Sequence, residues 1–214
     1  MLYFEIATEI VMLCAFFYGA INLWRKGKPL YFQIIICAIG CVALYQLSVI
    51  VMTFCDVNET YFNNSFFGYL GCNFFMFCAN RGALEKMFDK PKTGYIVISA
   101  LAGVAMFALT IFVDFLYFGA ARAVFFLYIV MQIPACFVVY YNVKHLFTPK
   151  DDLGLIKGIR MTDVFTLAFN VFSVIDLIFW IDYSILSGVA DLLLSFLVMG
   201  LSISAVRGAK KWNF

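Results

Sequence analysis

Two polar stripes near the end of the chain carry the residue types that can do chemistry inside a membrane. Within 162–204, carboxyl, amide and hydroxyl side chains recur at steps of three, four or seven among Leu, Ile, Val and Phe. Such steps place them on one face of an α-helix. Carboxyl groups in an apolar bilayer need a proton, a cation or an arginine as partner, so these stripes indicate proton or cation binding. They comprise Asp163, Thr166, Asn170, Ser173 and Asp176, then Ser184, Ser187, Asp191, Ser195 and Ser202.

Polar residues of other apolar segments are predicted to lie at about the same depth in the membrane as Asp176 and Asp191 of the two stripes. At about 1.5 Å per residue, each lies roughly 8–12 Å from the outer end of its segment. We predict that five of them form a ligand- or ion-binding layer open to the outside. An alternative is that each is hydrogen-bonded separately to a neighbouring helix and serves only fold specificity. The five are Glu9, Gln46, Asn73, Asp176 and Asp191.

Further residues on the same helix faces complete the predicted site. Arg81, near the inner end of its segment, pairs with Asp163 in one interpretation and closes the cytoplasmic side as a gate. In the other interpretation, Arg81 extends to the lipid head groups. We expect the pocket between the two levels to be lined by Tyr69, Asn170, Ser173, Trp180 and Ser195.

The elements that must position these groups are membrane-spanning helices. Of the 214 residues, 64% are hydrophobic and 13% are charged, whereas soluble domains are about half apolar and a quarter charged. Apolar runs of about 20 residues recur throughout, as a polytopic membrane protein requires. The sequence predicts an all-α, single-domain bundle over 1–214 with seven spans. We place them at 2–24, 30–54, 65–86, 94–113, 120–144, 159–181 and 184–206.

Basic residues indicate the orientation of these spans. Fourteen of the 15 Lys and Arg residues fall on one side, and only Arg122 falls on the other. The positive-inside rule then puts the N-terminus outside and the C-terminus in the cytoplasm. We expect an integral protein of the plasma (inner) membrane whose partner is the lipid bilayer. The basic face gives no reason to expect a nucleic-acid partner.

The spans around the middle of the chain differ from the others. The fourth has no charge between Gly94 and Val113, and we interpret it as peripheral scaffold. The fifth contains Pro134 beside Gln132, which predicts either a packing kink or a gating hinge. Three spans precede the fourth and three follow it, which is the arrangement of an internal repeat. The first three spans and the last three nevertheless show no residue-by-residue match.

Several chemistries are disfavoured by what the sequence lacks. The one histidine, His145, cannot form a multi-histidine zinc site, and we expect it to be solvated. Zinc-protease, nucleotide-binding and Ser/His/Asp motifs are absent. Seven cysteines lie mostly within apolar runs, which disfavours a disulfide framework. We therefore expect no enzyme, no cofactor and no metal.

Three classes of function remain open. The first is a small transporter or ion-coupled carrier with an outward-facing acidic pocket for a small molecule or cation. The second is a seven-helix receptor that binds an external ligand and signals through a membrane partner. The third is a structural subunit of a membrane complex or homo-oligomer. We favour the carrier, because short loops leave no output domain.

Overall fold

The computed structural model describes residues 2–24, 28–55, 65–84, 93–118, 123–148, 155–180 and 185–212. Seven α-helices account for nearly all of these residues, and no strand occurs among them. The all-α prediction is therefore confirmed. The helices are α1 (Leu2–Leu23), α2 (Leu30–Phe54), α3 (Ser65–Cys78), α4 (Thr93–Phe118), α5 (Ala123–Phe147), α6 (Leu155–Trp180) and α7 (Ile185–Lys211), and a π-helical segment (Ala79–Leu84) continues α3.

Five helices are long and apolar enough to cross a membrane. In lipid a helix satisfies its own backbone hydrogen bonds, which is why apolar runs of this length adopt that structure. The chain is an integral membrane protein on this evidence. The crossing of the membrane by the remaining two helices, and the orientation, stay predictions. The five apolar segments are Tyr3–Leu23, Leu30–Met52, Thr93–Leu116, Gly158–Asp176 and Ile185–Lys211.

Six of the helices pack as a ring. Its order is α1, α2, α3, α5, α6 and α7, and α7 closes the ring against α1. α2 also contacts α7. In the described part of the chain, α4 packs outside the ring against α5 and α6. Its apolar segment is 22% buried, against 39–56% for the other four. The predicted peripheral role of this span is confirmed.

The ring is held together by close contacts between small residues and backbone. Ser202 Oγ of α7 donates a hydrogen bond of 2.6 Å to the carbonyl oxygen of Ala15 in α1. A Cβ atom at Gly208 would lie 2.5 Å from the carbonyl oxygen of Gly158 in α6. Glycine therefore permits the first turn of α6 and the last turn of α7 to approach closely, at the ends that the predicted orientation makes the inner ends. Such small-residue contacts are the usual basis of helix packing in membranes.

Four helices run further at one end than the sequence predicts. α5 continues past Lys144 to Phe147, and α6 begins at Leu155 and not at Ile159. α4 continues past Val113 to Phe118, and α7 continues past Val206 to Lys211. The predicted ends stop where charged residues begin, at Asp114 and Arg207. Asp114 is fully buried against the protein, so its charge does not end the helix. The inner end of the third span is also different, because Ala79–Leu84 is π-helical.

Candidate functional site

All five predicted ligand residues of the outer layer are buried. Their side chains come from α1, α2, α3, α6 and α7, which all belong to the ring. Polar groups of this kind are rarely buried in a membrane protein without a function or a partner. The exposed fractions are 5% for Glu9, 6% for Gln46, 6% for Asn73, 4% for Asp176 and 8% for Asp191.

Tyr69 is the point at which several of these helices meet. The carboxylates of Asp176 and Asp191 both act electrostatically on its hydroxyl, as does the hydroxyl of Tyr45. The Tyr69 ring lies 5.8 Å from that of Tyr45 and stacks on Phe169 at 5.9 Å, measured between ring centroids. The structure thus brings Tyr69 of α3 together with the two predicted carboxylates of α6 and α7.

Glu9 lies on α1, which is parallel to α7, since Phe4 faces Gly188 and Ala15 contacts Ser202. Counting from these two contacts at about 1.5 Å per residue puts Glu9 about 3–8 Å from Asp191 along the helix axis. Both carboxyl oxygens of Glu9 are buried and have no hydrogen-bond partner among the described residues.

Gln46 and Asn73 complete the predicted layer less directly. Both are buried, and Asn73 Oδ1 has no hydrogen-bond partner in the described part of the chain. Convergence of Glu9, Gln46 and Asn73 on the Tyr69 site stays a prediction. The groups that act electrostatically on the Tyr69 hydroxyl include the two carboxylates and the hydroxyl of Tyr45. Such oxygen groups bind protons and hard cations.

The hydroxyls of the polar stripes are mostly bonded within their own helices. Ser195 Oγ donates to the carbonyl oxygen of Leu192 at 2.7 Å, and Ser173 Oγ donates to that of Asn170 at 3.0 Å. Asn170 is fully buried, and its Nδ2 donates to the carbonyl of Thr166 at 2.9 Å. These groups therefore shape the stripe, while the carboxylates are the stronger candidate ligands. Trp180 belongs to α6, but its side chain lies outside the described residues.

A second polar cluster lies at the end of the ring formed by the first turns of α2 and α6 and the last turns of α5, which the predicted orientation makes the inner end. Asp163 of α6 is fully buried. Its Oδ1 lies 3.5 Å from the Tyr31 hydroxyl of α2, and its Oδ2 lies 3.5 Å from Nδ1 of His145 on α5. The expectation that His145 is solvated is wrong, because this side chain is only 2% exposed. α5 continues to Phe147 and packs against α6, which encloses the imidazole.

Polar contacts extend this inner cluster to two more helices. Asn80 Nδ2, in the π-helical segment, lies 3.3 Å from Asn142 Oδ1, one turn before His145 on α5. Ser204 Oγ of α7 lies 3.4 Å from Thr162 Oγ1 of α6. All ring helices except α1 contribute to these contacts. We call Tyr31, Asn80, Asn142, His145 and Asp163 the inner cluster.

The predicted gate, an Arg81–Asp163 pair, shares Asp163 with the inner cluster. Arg81 is exposed on the π-helical segment, next to the buried Asn80. Its pairing with Asp163 stays a prediction. In the structure, the contacts of the Asp163 carboxylate within the described residues are with Tyr31 and His145. Tyr31 and His145 were not predicted as site residues.

A layer centred on Phe169 lies between the outer site and the inner cluster, with the buried side chain of Asn170 beside it. α6 carries Asp176, Phe169 and Asp163 in succession, so Phe169 lies about 10 Å from either carboxylate along the helix. Phe169 is fully buried beneath Tyr69. It packs in the main core with Met76, Ile39 and Val198. The two polar sites are therefore distinct.

One buried acid lies away from both sites. Asp114 of α4 is fully buried, and Gln132 Nε2 of α5 lies 3.5 Å from its Oδ1. Gln132 lies two residues before Pro134, and its contact with Asp114 was not predicted from the sequence. The contact attaches α4 to the ring.

Comparisons with known proteins add no family. No protein-family model, no curated protein and no solved structure matches this chain. Within the described residues, no group of three or more His, Cys, Asp or Glu side chains is arranged to hold a metal ion. The function must therefore be argued from the two polar sites.

Proposed function

We propose that the chain is a small carrier coupled to protons or monovalent cations. The observation that supports this is the excess of buried acids. In the described part of the chain, five carboxyl side chains are buried, no Lys or Arg is buried, and His145 is the single buried base. We propose that protons or bound cations supply positive charge at this excess of acids. The five acids are Glu9, Asp114, Asp163, Asp176 and Asp191.

The arrangement of the sites supports alternating access. We propose that all seven helices cross the membrane with the N-terminus outside, which opens the Tyr69 site to the exterior. α3 and its π-helical continuation together cover 65–84, about 30 Å of helix and enough for a span. A proton or cation bound by Asp176 and Asp191 neutralises the outer site. The ring then rearranges around the Phe169 layer and exposes the site to the cytoplasm.

Transport assays in liposomes test the carrier proposal. Purified protein is reconstituted with a lumenal pH dye under a valinomycin–K⁺ clamp, and pools of sugars, amino acids, nucleosides and carboxylic acids are added outside. We expect at least one pool to acidify the lumen above the protein-free rate. Asp176→Asn and Asp191→Asn should each return acidification to that rate, because an amide cannot carry the proton.

Asp114→Asn is the matched control, since it changes a buried acid outside both sites. It should retain acidification. If Asp176→Asn and Asp191→Asn transport as well as the unaltered protein, the outer carboxylates are not the coupling groups. Repeating the assay with Na⁺ or Li⁺ gradients separates cation coupling from proton coupling.

The same experiment separates the carrier from the two other classes. A pool that raises the thermal unfolding temperature without flux indicates a receptor that binds at the same site. Absence of both flux and stabilisation, with a co-purifying membrane protein required for stability, indicates a structural subunit. We further propose location in the plasma membrane, no enzymatic activity and a single transmembrane domain.

A further inference from the structure

We propose that Tyr31, His145 and Asp163 form an inner proton-binding site that controls the packing of α2, α5 and α6. This inference deepens the carrier proposal, and it rests on that proposal only for its role in transport. The site replaces the predicted Arg81–Asp163 pair as the element that closes the inner end. Its ligand is a proton exchanged with the inner aqueous phase.

The geometry of Asp163 is the first support. Each of its carboxylate oxygens is approached at 3.5 Å by a group from a different helix, Tyr31 from α2 and His145 from α5. All three side chains are at most 2% exposed. The Asp163 carboxylate on α6 therefore contacts both α2 and α5. The strength of its contact with His145 depends on whether the imidazole carries a proton and hence a positive charge.

The second support is the remaining hydrogen-bonding capacity nearby. Asn80 Oδ1 and Asn142 Nδ2 are buried without hydrogen-bond partners among the described residues. Asn142 lies one turn from His145 on the same face of α5. Buried polar atoms without a hydrogen-bond partner are uncommon in a static packing contact. They indicate a site that rearranges or admits water.

The proton balance of the site is simple. When His145 is protonated, its imidazolium and the Asp163 carboxylate, with Nδ1 and Oδ2 3.5 Å apart, hold α5 to α6 by their opposite charges. When the proton leaves to the inner aqueous phase, the imidazole is neutral and the carboxylate keeps the Tyr31 hydroxyl as its donor. Rising pH therefore weakens the closed arrangement, and falling pH restores it.

Other titratable groups surround the imidazole. Arg160 of α6 acts electrostatically on Asp163, while its guanidinium donates to the carbonyl oxygen of Thr148 at 2.8 Å. His145 is the one histidine of the chain, so a transition that His145→Gln abolishes is assigned to its imidazole. Further titratable side chains at this end of α5 and of the helices packed against it are Tyr140, Tyr141, Lys144, Cys78, Arg81 and Tyr95.

Trp212 provides a spectroscopic reporter for this site. Its ring stacks on Tyr31 with centroids 6.1 Å apart, and it is buried at the inner end of α7. The chain has three tryptophans, so Trp24→Phe with Trp180→Phe leaves Trp212 alone. Emission and acrylamide quenching are then measured in detergent from about pH 5 to pH 8, the range in which histidine titrates.

We expect one reversible transition of a single proton. As the pH rises, the Trp212 emission should shift to the red and its quenching should increase, because α2 and α6 loosen. His145→Gln should abolish the transition, since glutamine fills a similar volume without titrating. Asp163→Asn should move the midpoint to lower pH, because the charged imidazole loses its counter-charge. Asp114→Asn should leave the midpoint unchanged.

Each outcome decides the proposal. A transition that persists in His145→Gln, or none in the parent protein, overturns it. If His145→Gln does not fold, an Asp163→Asn midpoint that is unchanged or raised overturns it equally. The titration needs no solute or flux. A normal titration without flux therefore contradicts only the carrier, and normal flux without the titration contradicts only the inner site.

Discussion

At the scale of single residues, Gly208 sets the distance between the inner ends of α6 and α7. An added Cβ would lie 2.5 Å from the carbonyl oxygen of Gly158 and 2.7 Å from the ring of Phe32. A backbone oxygen cannot move without shifting its helix. We expect Gly208→Ala to destabilise the protein by about 1–3 kcal/mol, the usual effect of overpacking. Thermal unfolding in detergent micelles measures this effect.

Gly94 provides the matched control, because a Cβ there would meet nothing within 4 Å. It lies in the first turn of α4, where alanine is the better helix former by up to about 1 kcal/mol. Gly94→Ala should leave the unfolding temperature unchanged or raise it. Equal destabilisation by both substitutions would show that close approach at Gly208 is not the cause.

The site residues show which signals a sequence carries at this scale. Asp176 and Asp191 were predicted because both interrupt apolar helices at stripe positions, and the structure places both beside Tyr69. His145 and Tyr31 were missed because Asp163, their common partner, belongs to a distant segment. The Asn142–His145 spacing of three residues was an available signal, since it puts two polar groups on one face of α5.

At the scale of elements, the Asp114–Gln132 contact attaches α4 to the ring. Removing one buried polar partner costs about 1–3 kcal/mol, whereas replacing both can be nearly neutral. We expect Gln132→Leu to destabilise the protein and the double variant with Asp114→Leu to recover most of the loss. Unfolding temperatures of the two single variants and the double variant measure the coupling.

Additive losses in that cycle would contradict a specific contact between the two side chains. Asn22→Leu is a suitable reference, because Asn22 is exposed and its amide donates to the carbonyl of Tyr18 in its own helix. It should have little effect.

Helix bounds were predictable where turn residues mark them. The predicted bounds of α2 match the structure. Lys28 and Pro29 precede its first turn, and the backbone N–H of Phe32 donates a hydrogen bond of 3.1 Å to the carbonyl oxygen of Pro29. Proline is favoured just before or at the start of a helix. The prediction is wrong at the end of α4, because burial against α5 decides there whether Asp114 stays within a helix. A single sequence does not show that contact.

At the scale of the whole molecule, the orientation is open to direct measurement. Cys55 is exposed at the end of α2, which the basic residues place outside. In a variant with the other six cysteines replaced, an impermeant maleimide should label Cys55 on intact cells. Lys211→Cys in a cysteine-free background should be labelled only after permeabilisation. The opposite pattern would invert the orientation.

The ring order has a symmetry of its own. Exchanging α1 with α5, α2 with α6 and α3 with α7 leaves every neighbour in the ring unchanged. Every closed ring of six helices has this property, and the two halves of this chain show no residue-by-residue match. The contacts of α4 and the α2–α7 contact break the symmetry. The likeness of the two halves is therefore one of helix packing alone.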